Sequence, residues 1–506
     1  MTKDRAVLYT YLCAAVGVLI YALLAFGFIL PQPYPYFGTE IYNAYFYRLL
    51  EGRFDLPLRM LTFEGHYSAD GTGYLYHGIA PLLTRAILHP FVALNHFPTA
   101  AFSVWLWATI GTGFYHLALY QVTRKYSGQM PALLVFVGGL AIWICSPGFL
   151  LSSNPVLYHE PISIAYAAMA VAVYLMLRCA LFGTAWRYTL VPAALMAGLL
   201  LHSRPHLAIG LYAGILVMIV FAIWNEKRRA IVPVVVGLMI LGLMGLSFLQ
   251  LNKVRFGSAT ASHGQIESAD TNSQVQYAPV FFGSDYATNG RGVVFVEHGR
   301  FHPWRILPNA LIYVFDTPVA ETSIAALHRK VTENISGHGF IEKPRQGMLA
   351  FWTIWIVLMI VGLSLGRPRI SGGVRALPLL LATGIGASLM LSYPTVTLRY
   401  KTDVWPFVMA LCLLGLPGLI KRYGSAVLQS KRVLIGSLVI FLCGALTSAL
   451  LTIPLRYSYQ QAPGRKYEAW GRDMCLGQLA GKAFSPERLE QLCVDPESVF
   501  EQRGEG

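Results

Sequence analysis

Three acidic and four basic residues of this sequence have the chemistry of a site that acts on a phosphate-linked group. A carboxylate can accept the proton of an attacking hydroxyl, and a guanidinium can bind two phosphate oxygens at once. We expect Glu40 to be the general base, with Asp70 and Glu64 as second candidates. We expect a phosphate to be bound by isolated basic residues of other polar segments, which are Arg204, Arg399, Arg255 and Lys401.

Each of these residues also has an ordinary structural explanation. Glu40 precedes a helical pattern, where a carboxylate is stabilised by the helix dipole. Arg204 and Arg399 lie at the ends of apolar segments, from which arginine side chains extend toward lipid headgroups. The two explanations differ in whether the side chains converge on one place.

Composition identifies the kind of fold that must position these residues. Of the 506 residues, 55% are hydrophobic and 13% are charged, whereas soluble domains contain about 25% charged residues. Because a soluble fold cannot bury so much apolar surface, the chain is expected to be an integral membrane protein. The 39 Lys and Arg outnumber the 25 Asp and Glu, but they adjoin apolar segments, so nucleic acid is not an expected partner.

Apolar runs long enough to cross a bilayer predict about eleven transmembrane helices and an all-α fold. The predicted helices are 7–30, 100–121, 131–144, 161–177, 189–201, 207–224, 231–251, 348–365, 377–391, 404–420 and 433–453. They divide the chain into a transmembrane domain, 1–453, and a tail, 454–506. Two long polar segments, 31–99 and 252–346, lie within the transmembrane domain.

The positive charges of the alternating loops predict the orientation, because short basic loops stay in the cytoplasm. One set of loops holds sixteen Lys and Arg, and the short loops of the other set hold only Arg204, Arg399 and Lys401. The amino terminus is therefore expected inside, with both long segments and the tail outside. Cys475 and Cys493 of the tail then form a disulfide or remain free thiols.

The first long segment predicts two interfacial helices. Aromatic and leucine residues recur at helical spacing directly after Glu40, and the stretch 74–90 has a second apolar face. The residues of these faces are Tyr42, Tyr45, Phe46, Leu49 and Leu50, and Ile79, Leu82, Leu83, Ala86 and Ile87.

In these features the chain resembles the GT-C superfamily of glycosyltransferases. The resemblance rests on an acidic residue soon after the first apolar helix and on the segments 49–53 (LLEGR), 81–83 (PLL), 252–258 (NKVRFGS) and 398–400 (LRY). Many members have Asp, or an Asp-Glu pair, where this chain has Thr39 and Glu40.

The resemblance implies transfer of a hexosyl or pentosyl group from a polyprenyl-phosphate donor, with inversion, at the outer face of a bacterial inner membrane. The acceptor is then a cell-envelope glycan, a lipid or a protein, and membrane lipids surround the chain. The alternatives are a lipid-linked oligosaccharide ligase or polymerase, a lipid-linked sugar transporter and a non-catalytic scaffold.

No metal or other cofactor is expected, and a divalent cation is the one alternative left open. His202 and His206 are four residues apart, which would place them on one helix face, but Pro205 interrupts that helix.

Overall fold

The structure is a computed structural model in which helices dominate. It describes the chain except for residues 1–2, 32–33, 128–131, 262–273, 284–290, 318–323, 338–339, 366–371, 429, 464–467, 469 and 502–506.

The first eleven helices of the described residues are α1 (Lys3–Ala25), α2 (Ile41–Leu50), α3 (Leu58–Leu61), α4 (Leu82–Leu88), α5 (Thr99–Ser127), α6 (Ala132–Ile144), α7 (Pro147–Ser152), α8 (His159–Phe182), α9 (Arg187–Leu201), α10 (Pro205–Glu226) and α11 (Ile231–Phe256). The helices that follow are α12 (Ala278–Phe281), α13 (Arg291–His298), α14 (Ile306–Phe315), α15 (Ile324–Ser336), α16 (Met348–Phe351), α17 (Thr353–Leu365), α18 (Leu377–Leu391), α19 (Lys401–Leu428), α20 (Lys431–Tyr457), α21 (Arg472–Leu479), α22 (Pro486–Leu492) and α23 (Ser498–Glu501).

Helices occupy each of the eleven predicted apolar segments, and the prediction of an all-α membrane protein is confirmed. Six helical segments of the described chain are long and apolar enough to cross a membrane, and Pro205–Phe256, with 52 residues, contains both α10 and α11. Three shorter apolar helices are Leu133–Ile144, Arg187–Leu201 and Thr353–Ser364. The number of crossings stays a prediction.

The outer faces of α10, α11 and α20 expose large apolar side chains. Trp224 is 80% exposed, Val232 70%, Leu246 65% and Leu446 62%. Because such a surface is stable only against an apolar medium, these faces are the ones that lipid covers.

Two glycines allow α10 and α18 to pack with their backbones in close approach. A Cβ atom at Gly210 would lie 2.4 Å from the carbonyl oxygen of Ala382, and one at Gly214 would lie 2.6 Å from that of Pro378. Small residues at helix contacts are typical of membrane proteins, where dispersion contacts drive helix association.

A small antiparallel sheet, which the sequence pattern did not predict, joins the two long polar segments. Its strands are β1 (Asp55–Leu56), β2 (Gly65–Ser68), β3 (Gly73–Leu75) and β4 (Val275–Tyr277). Their order is β1-β3-β2-β4, and His66 of β2 lies opposite Tyr277 of β4. The second segment is thereby held against the first.

Two further backbone pairings bring distant parts of the chain together. The strands β5 (Phe340–Ile341) and β6 (Thr395–Val396) pair in parallel. An isolated bridge joins Tyr36 to Gln460, just after α20. The second polar segment and the start of the tail therefore reach the same region as the segment that precedes α19.

The two helices predicted in the first segment are present, as α2 and α4. In α4, Leu83 and Ile87 are 43% and 51% exposed, as an interfacial helix requires, whereas Arg85 is buried. The structure differs from the predicted amphipathic pattern in α2, where residues 41–47 are all buried. This helix packs inside the protein because α4 and the tail cover it.

The tail is folded onto the first polar segment. Cys475 and Cys493 form a disulfide that joins α21 to the residue after α22. Arg488 of α22 lies 3.2 Å from the Asp70 carboxylate, and the ring of Phe500 lies 5.9 Å from that of Tyr47. The tail therefore covers part of α2.

Candidate functional site

Arg399 lies inside a group of aromatic rings at one end of the helices. Its Nη1 donates a hydrogen bond of 2.6 Å to the Tyr459 hydroxyl, and its Nη2 donates one of 3.2 Å to Oε1 of Glu342. Its guanidinium lies 4.4 Å from the ring centroid of Tyr158 and 5.4 Å from that of Tyr400. We refer to Tyr158, Tyr400, Tyr459 and Glu342 as the Arg399 cage.

Local backbone pairing positions the members of this cage. Glu342 follows β5, and its backbone N–H donates a 2.9 Å hydrogen bond to the carbonyl of Val396 in β6. Phe37, in the segment after α1, donates its N–H to the carbonyl of Tyr459 at 2.9 Å and accepts one from Leu157 at 3.1 Å. The cage is thus assembled from four separate parts of the sequence.

Neighbouring charges and burial shift the pKa of Arg399 in opposite directions. Burial alone would lower the pKa of Arg399, but the Glu342 carboxylate, followed by the neighbouring tyrosines, holds this pKa well above its usual range. The side chain is nevertheless 11% exposed, so a ligand can reach a guanidinium that stays charged at every physiological pH.

Arg204 stands beside the Arg399 cage, at the start of α10. Its Nη2 donates a hydrogen bond to Oδ2 of Asp403, and its guanidinium lies 5.0 Å from the ring centroid of Tyr400. Nε2 of His206 lies 3.2 Å from the same Asp403 oxygen. Because the Tyr400 ring contacts both guanidinium groups, the structure brings Arg204 and Arg399 together, and their role in binding phosphate stays a prediction.

Asp403, in the first turn of α19, was not among the predicted site residues. It is 1% exposed, and no hydrogen bond from any described residue reaches its Oδ1. Nε of Arg204 is likewise without a hydrogen-bond partner in the described chain. Buried polar atoms of this kind are normally satisfied by a partner, which here can be a ligand or water.

The other two basic candidates are engaged outside the cage. Nη1 of Arg255 donates to the carbonyls of Leu75 and His77, at 2.9 Å and 3.2 Å, which ties α11 to the first polar segment. Nζ of Lys401 donates to the carbonyl of Gln346. Both side chains are buried, and their observed contacts connect the helices to the long polar segments.

Glu40 is the residue before α2, three positions after Phe37, and it is exposed. Partial desolvation, followed by the neighbouring Glu497 of the tail, raises the pKa of Glu40 above its ordinary value. A general base benefits from a pKa closer to the working pH. Because the backbone N–H of Phe37 donates a hydrogen bond to the carbonyl of Tyr459, α2 begins near the Arg399 cage, with Glu40 as the residue before its first turn.

Glu64 also lies near this cage. Its Oε2 accepts a hydrogen bond of 3.3 Å from the Tyr76 hydroxyl. Burial raises the pKa of Tyr459 to about 12, and Arg399 and Glu64 are both among the groups whose charges act on that hydroxyl. The structure thus places Glu64 and Arg399 on either side of shared tyrosines.

Asp70 has a different environment, at the turn between β2 and β3. Its carboxylate accepts hydrogen bonds from the Ser68 hydroxyl at 2.5 Å and from the Thr72 hydroxyl at 2.9 Å, and it pairs with Arg488. These contacts fix the turn and the tail to each other. They give the Asp70 carboxylate a structural role that requires no part in catalysis.

A buried ion pair beneath the site was not predicted from the sequence. Arg85 of α4 and Glu160 of α8 are both 0% exposed; Nη2 of Arg85 donates to Oε1 of Glu160 at 3.0 Å. Nε of Arg85 donates to the Asn43 amide oxygen at 3.0 Å. The pair joins α2, α4 and α8, and the one available signal was an acidic residue directly before the predicted helix 161–177.

An apolar groove of about 490 Å³ opens near the site. It runs along α18 from Leu380 to Ser392 and is closed by Phe301 and Phe407. The guanidinium of Arg300 lies 5.4 Å from the Phe301 ring centroid, so a basic group stands at the edge of an apolar channel.

The described residues contain no group of three or more His, Cys, Asp or Glu that could hold a metal ion. Nε2 of His202 contacts the Ser247 hydroxyl at 2.9 Å, whereas His206 contacts Asp403. The two histidines are thus directed to different partners, and the metal requirement stays a prediction.

No family model matches the chain, and no curated protein matches it. Among solved structures it is similar to the archaeal oligosaccharyltransferase AglB from Archaeoglobus fulgidus, in complex with an inhibitory peptide and a dolichol-phosphate. Identity is 14% and the TM-score is 0.49, over 98% of this chain and 59% of that one. At this TM-score the similarity carries no argument about ligands or activity.

Proposed function

We propose that this protein is a glycosyltransferase that moves a hexosyl or pentosyl group from a polyprenyl-phosphate donor to a cell-envelope glycan, lipid or protein, with inversion. The observation that carries the proposal is the convergence of Arg204 and Arg399 on one ring, that of Tyr400, at 5.0 Å and 5.4 Å. Two permanent cations on an external ligand-accessible surface suit a phosphate leaving group.

The donor phosphate is placed between the two guanidinium groups. Each guanidinium has five N–H donors, and the contacts with Glu342, Tyr459 and Asp403 leave several of them for phosphate oxygens. The isoprenoid part of the donor is assigned to the apolar groove along α18, whose edge carries Arg300. The charged head and apolar tail of one ligand are thereby matched by adjoining surfaces.

Glu40 is the proposed general base, and Glu64 is the second candidate. Glu40 is exposed to an arriving acceptor and has a raised pKa, while Glu64 lies nearer to the arginines through Tyr76. Oδ1 of Asp403, which has no hydrogen-bond partner among the described residues, is assigned to a hydroxyl group of the sugar of the polyprenyl-phosphate donor. The site faces the outside if the amino terminus is cytoplasmic, and a bacterial inner membrane is the proposed location.

The decisive experiment incubates the purified full chain, in lipid nanodiscs, with a panel of polyprenyl-phosphate sugars. Free polyprenyl phosphate and the glycosylated product are quantified together. The proposal requires both to appear in equal amounts for at least one donor. Movement of an intact labelled donor across sealed vesicles without any product would instead identify a transporter. Activity confined to pyrophosphate-linked oligosaccharides would identify a ligase.

A further inference from the structure

A second cavity lies among the membrane helices, far from the Arg399 cage. It has a volume of about 190 Å³ and is lined by side chains such as Thr123, Leu134, Leu358, Ile420 and Val433. Helix α19 starts beside the cage at Lys401 and first lines this cavity at Leu416, roughly 22 Å further along at 1.5 Å per residue. The cavity therefore belongs to the opposite end of the helices.

Basic residues directly adjoin, in the sequence, three residues that line this cavity. Arg124 follows the lining residue Thr123, Lys421 follows Ile420, and Arg432 precedes Val433; all three side chains are exposed. Nζ of Lys421 lies 5.5 Å from the ring centroid of Tyr126, so α19 and α5 bring their basic ends together. Within the described chain, no carboxylate lies within ion-pair distance of these three residues.

Loop topology alone does not account for this combination. Lys227, Arg228 and Arg229, between α10 and α11, form a second basic cluster at the ends of helices, but none of them lines the cavity. Glu226 directly precedes that cluster and pairs with Arg187 at 3.7 Å. What distinguishes Arg124, Lys421 and Arg432 is that each is the direct neighbour of a residue that lines an apolar cavity.

We propose that this cavity binds one acyl chain of an anionic phospholipid, whose phosphate headgroup is held by Arg124, Lys421 and Arg432. A basic rim over an apolar space between membrane helices matches both parts of such a lipid. The occupant is a phospholipid of the leaflet that faces these helix ends. The inference is independent of the proposed transferase reaction, because it uses no residue of the Arg399 cage.

Native mass spectrometry of the full chain in detergent tests the headgroup. The protein is titrated with phosphatidylglycerol and, separately, with zwitterionic phosphatidylcholine. Phosphatidylglycerol is expected to bind more tightly, and the double variant Lys421→Gln/Arg432→Gln to weaken its binding roughly 30-fold. The matched control Lys227→Gln/Arg228→Gln is expected to bind like the native chain. Equal affinity for the two lipids, or an unchanged double variant, would overturn the proposal.

The variant Gly138→Leu tests the acyl chain. Gly138 lines the cavity, and a Cβ there meets only Leu119, at an ordinary 3.8 Å, so the added side chain can enter the cavity without a backbone clash. Phosphatidylglycerol binding is expected to fall roughly tenfold or more although the rim charges remain. Glycerol phosphate, the headgroup without chains, is expected not to compete.

Thermal unfolding in the same detergent, which must match that of the native chain, verifies the fold of each variant. A Gly138→Leu protein that unfolds normally and binds phosphatidylglycerol as tightly as the native chain would refute the cavity as the lipid site. Competition by glycerol phosphate at equal concentration would also refute it, because the headgroup alone would then carry the affinity.

Discussion

Arg399 donates a 2.6 Å hydrogen bond to the hydroxyl of Tyr459, a residue of the segment that follows the last long apolar helix. The bond and the Glu342 contact hold the plane of the guanidinium in one orientation. A planar group fixed in this way can present two parallel N–H donors to a phosphate, which a lysine ammonium cannot.

Arg399→Lys is therefore expected to lower kcat/KM for the polyprenyl-phosphate donor by roughly 10²- to 10³-fold, since one charged donor pair to the leaving group is lost. Initial rates of polyprenyl phosphate release at several donor concentrations measure this change in kcat/KM. Arg472→Lys is the matched control, because Arg472 pairs with Glu490 in the tail. An Arg399→Lys enzyme with native kcat/KM would remove this residue from the phosphate site.

Glu40→Gln keeps the shape of the side chain and removes its ability to accept a proton. If Glu40 is the base, turnover should fall by roughly 10²- to 10⁴-fold while KM and the amount of folded protein change little. Glu64→Gln, assayed in parallel, is expected to have the smaller effect. The reverse order would transfer the role of base to Glu64, which contacts Tyr76.

The acidic limb of the pH profile should depend on the tail. Desolvation and then the Glu497 charge raise the pKa of Glu40, and a base acts only when deprotonated. Replacing Glu497 with Gln removes one cause, lowers the pKa of Glu40 and should move the acidic limb of kcat/KM to lower pH. Glu487→Gln, at the start of α22, is the control. An acidic limb that stays at the same pH, or moves to higher pH, contradicts the assignment of Glu40 as the general base.

Removing one charge of the buried pair of Arg85 and Glu160 should destabilise the fold much more than removing both charges. Glu160→Gln leaves an uncompensated guanidinium and is expected to destabilise the fold by about 3–5 kcal/mol. Arg85→Met/Glu160→Met removes both charges and should recover most of that loss. Thermal unfolding in one detergent compares the three proteins. A double variant as unstable as the single one would show that the pair is needed for more than charge balance.

The disulfide between Cys475 and Cys493 closes a loop with a sequence separation of 18. Replacing both residues with Ala should destabilise the tail by about 3 kcal/mol, because the unfolded tail regains the entropy of an open chain. Hydrogen exchange of 472–501 would rise while exchange in α8 stays slow. Uniform loosening of the whole protein would show that the tail supports the helices as well.

The helices were predictable because their signal is local. An uninterrupted apolar run is recognised without knowing its neighbours, and α18 has the bounds predicted for 377–391. The bond between Arg204 and Asp403 joins residues 199 positions apart, and no sequence spacing encodes such a contact. The pairing of β4 with β2 was missed for the same reason, since Tyr67 of β2 lies opposite Gln276 of β4, 209 positions further along the chain.

Among the site residues, type and topology identified Arg204 and Arg399 because cations are unusual in short external loops. The same argument selected Lys401, and the segment 252–258 added Arg255, but the side chains of both residues bind backbone carbonyls. A partly exposed cation such as Arg399 and a buried connector such as Arg255 have the same sequence signal. Only the positions of the surrounding carbonyls distinguish them.

The bridge between Tyr36 and Gln460 has a consequence for biosynthesis. It joins a segment translated directly after the first helix to one translated after the last, and it brings Tyr459 against Arg399. A nascent chain that has inserted every earlier helix still lacks one wall of the cage. The Arg399 cage is therefore complete only after synthesis has passed Tyr459, so any reaction that needs the whole cage begins only on a nearly complete chain.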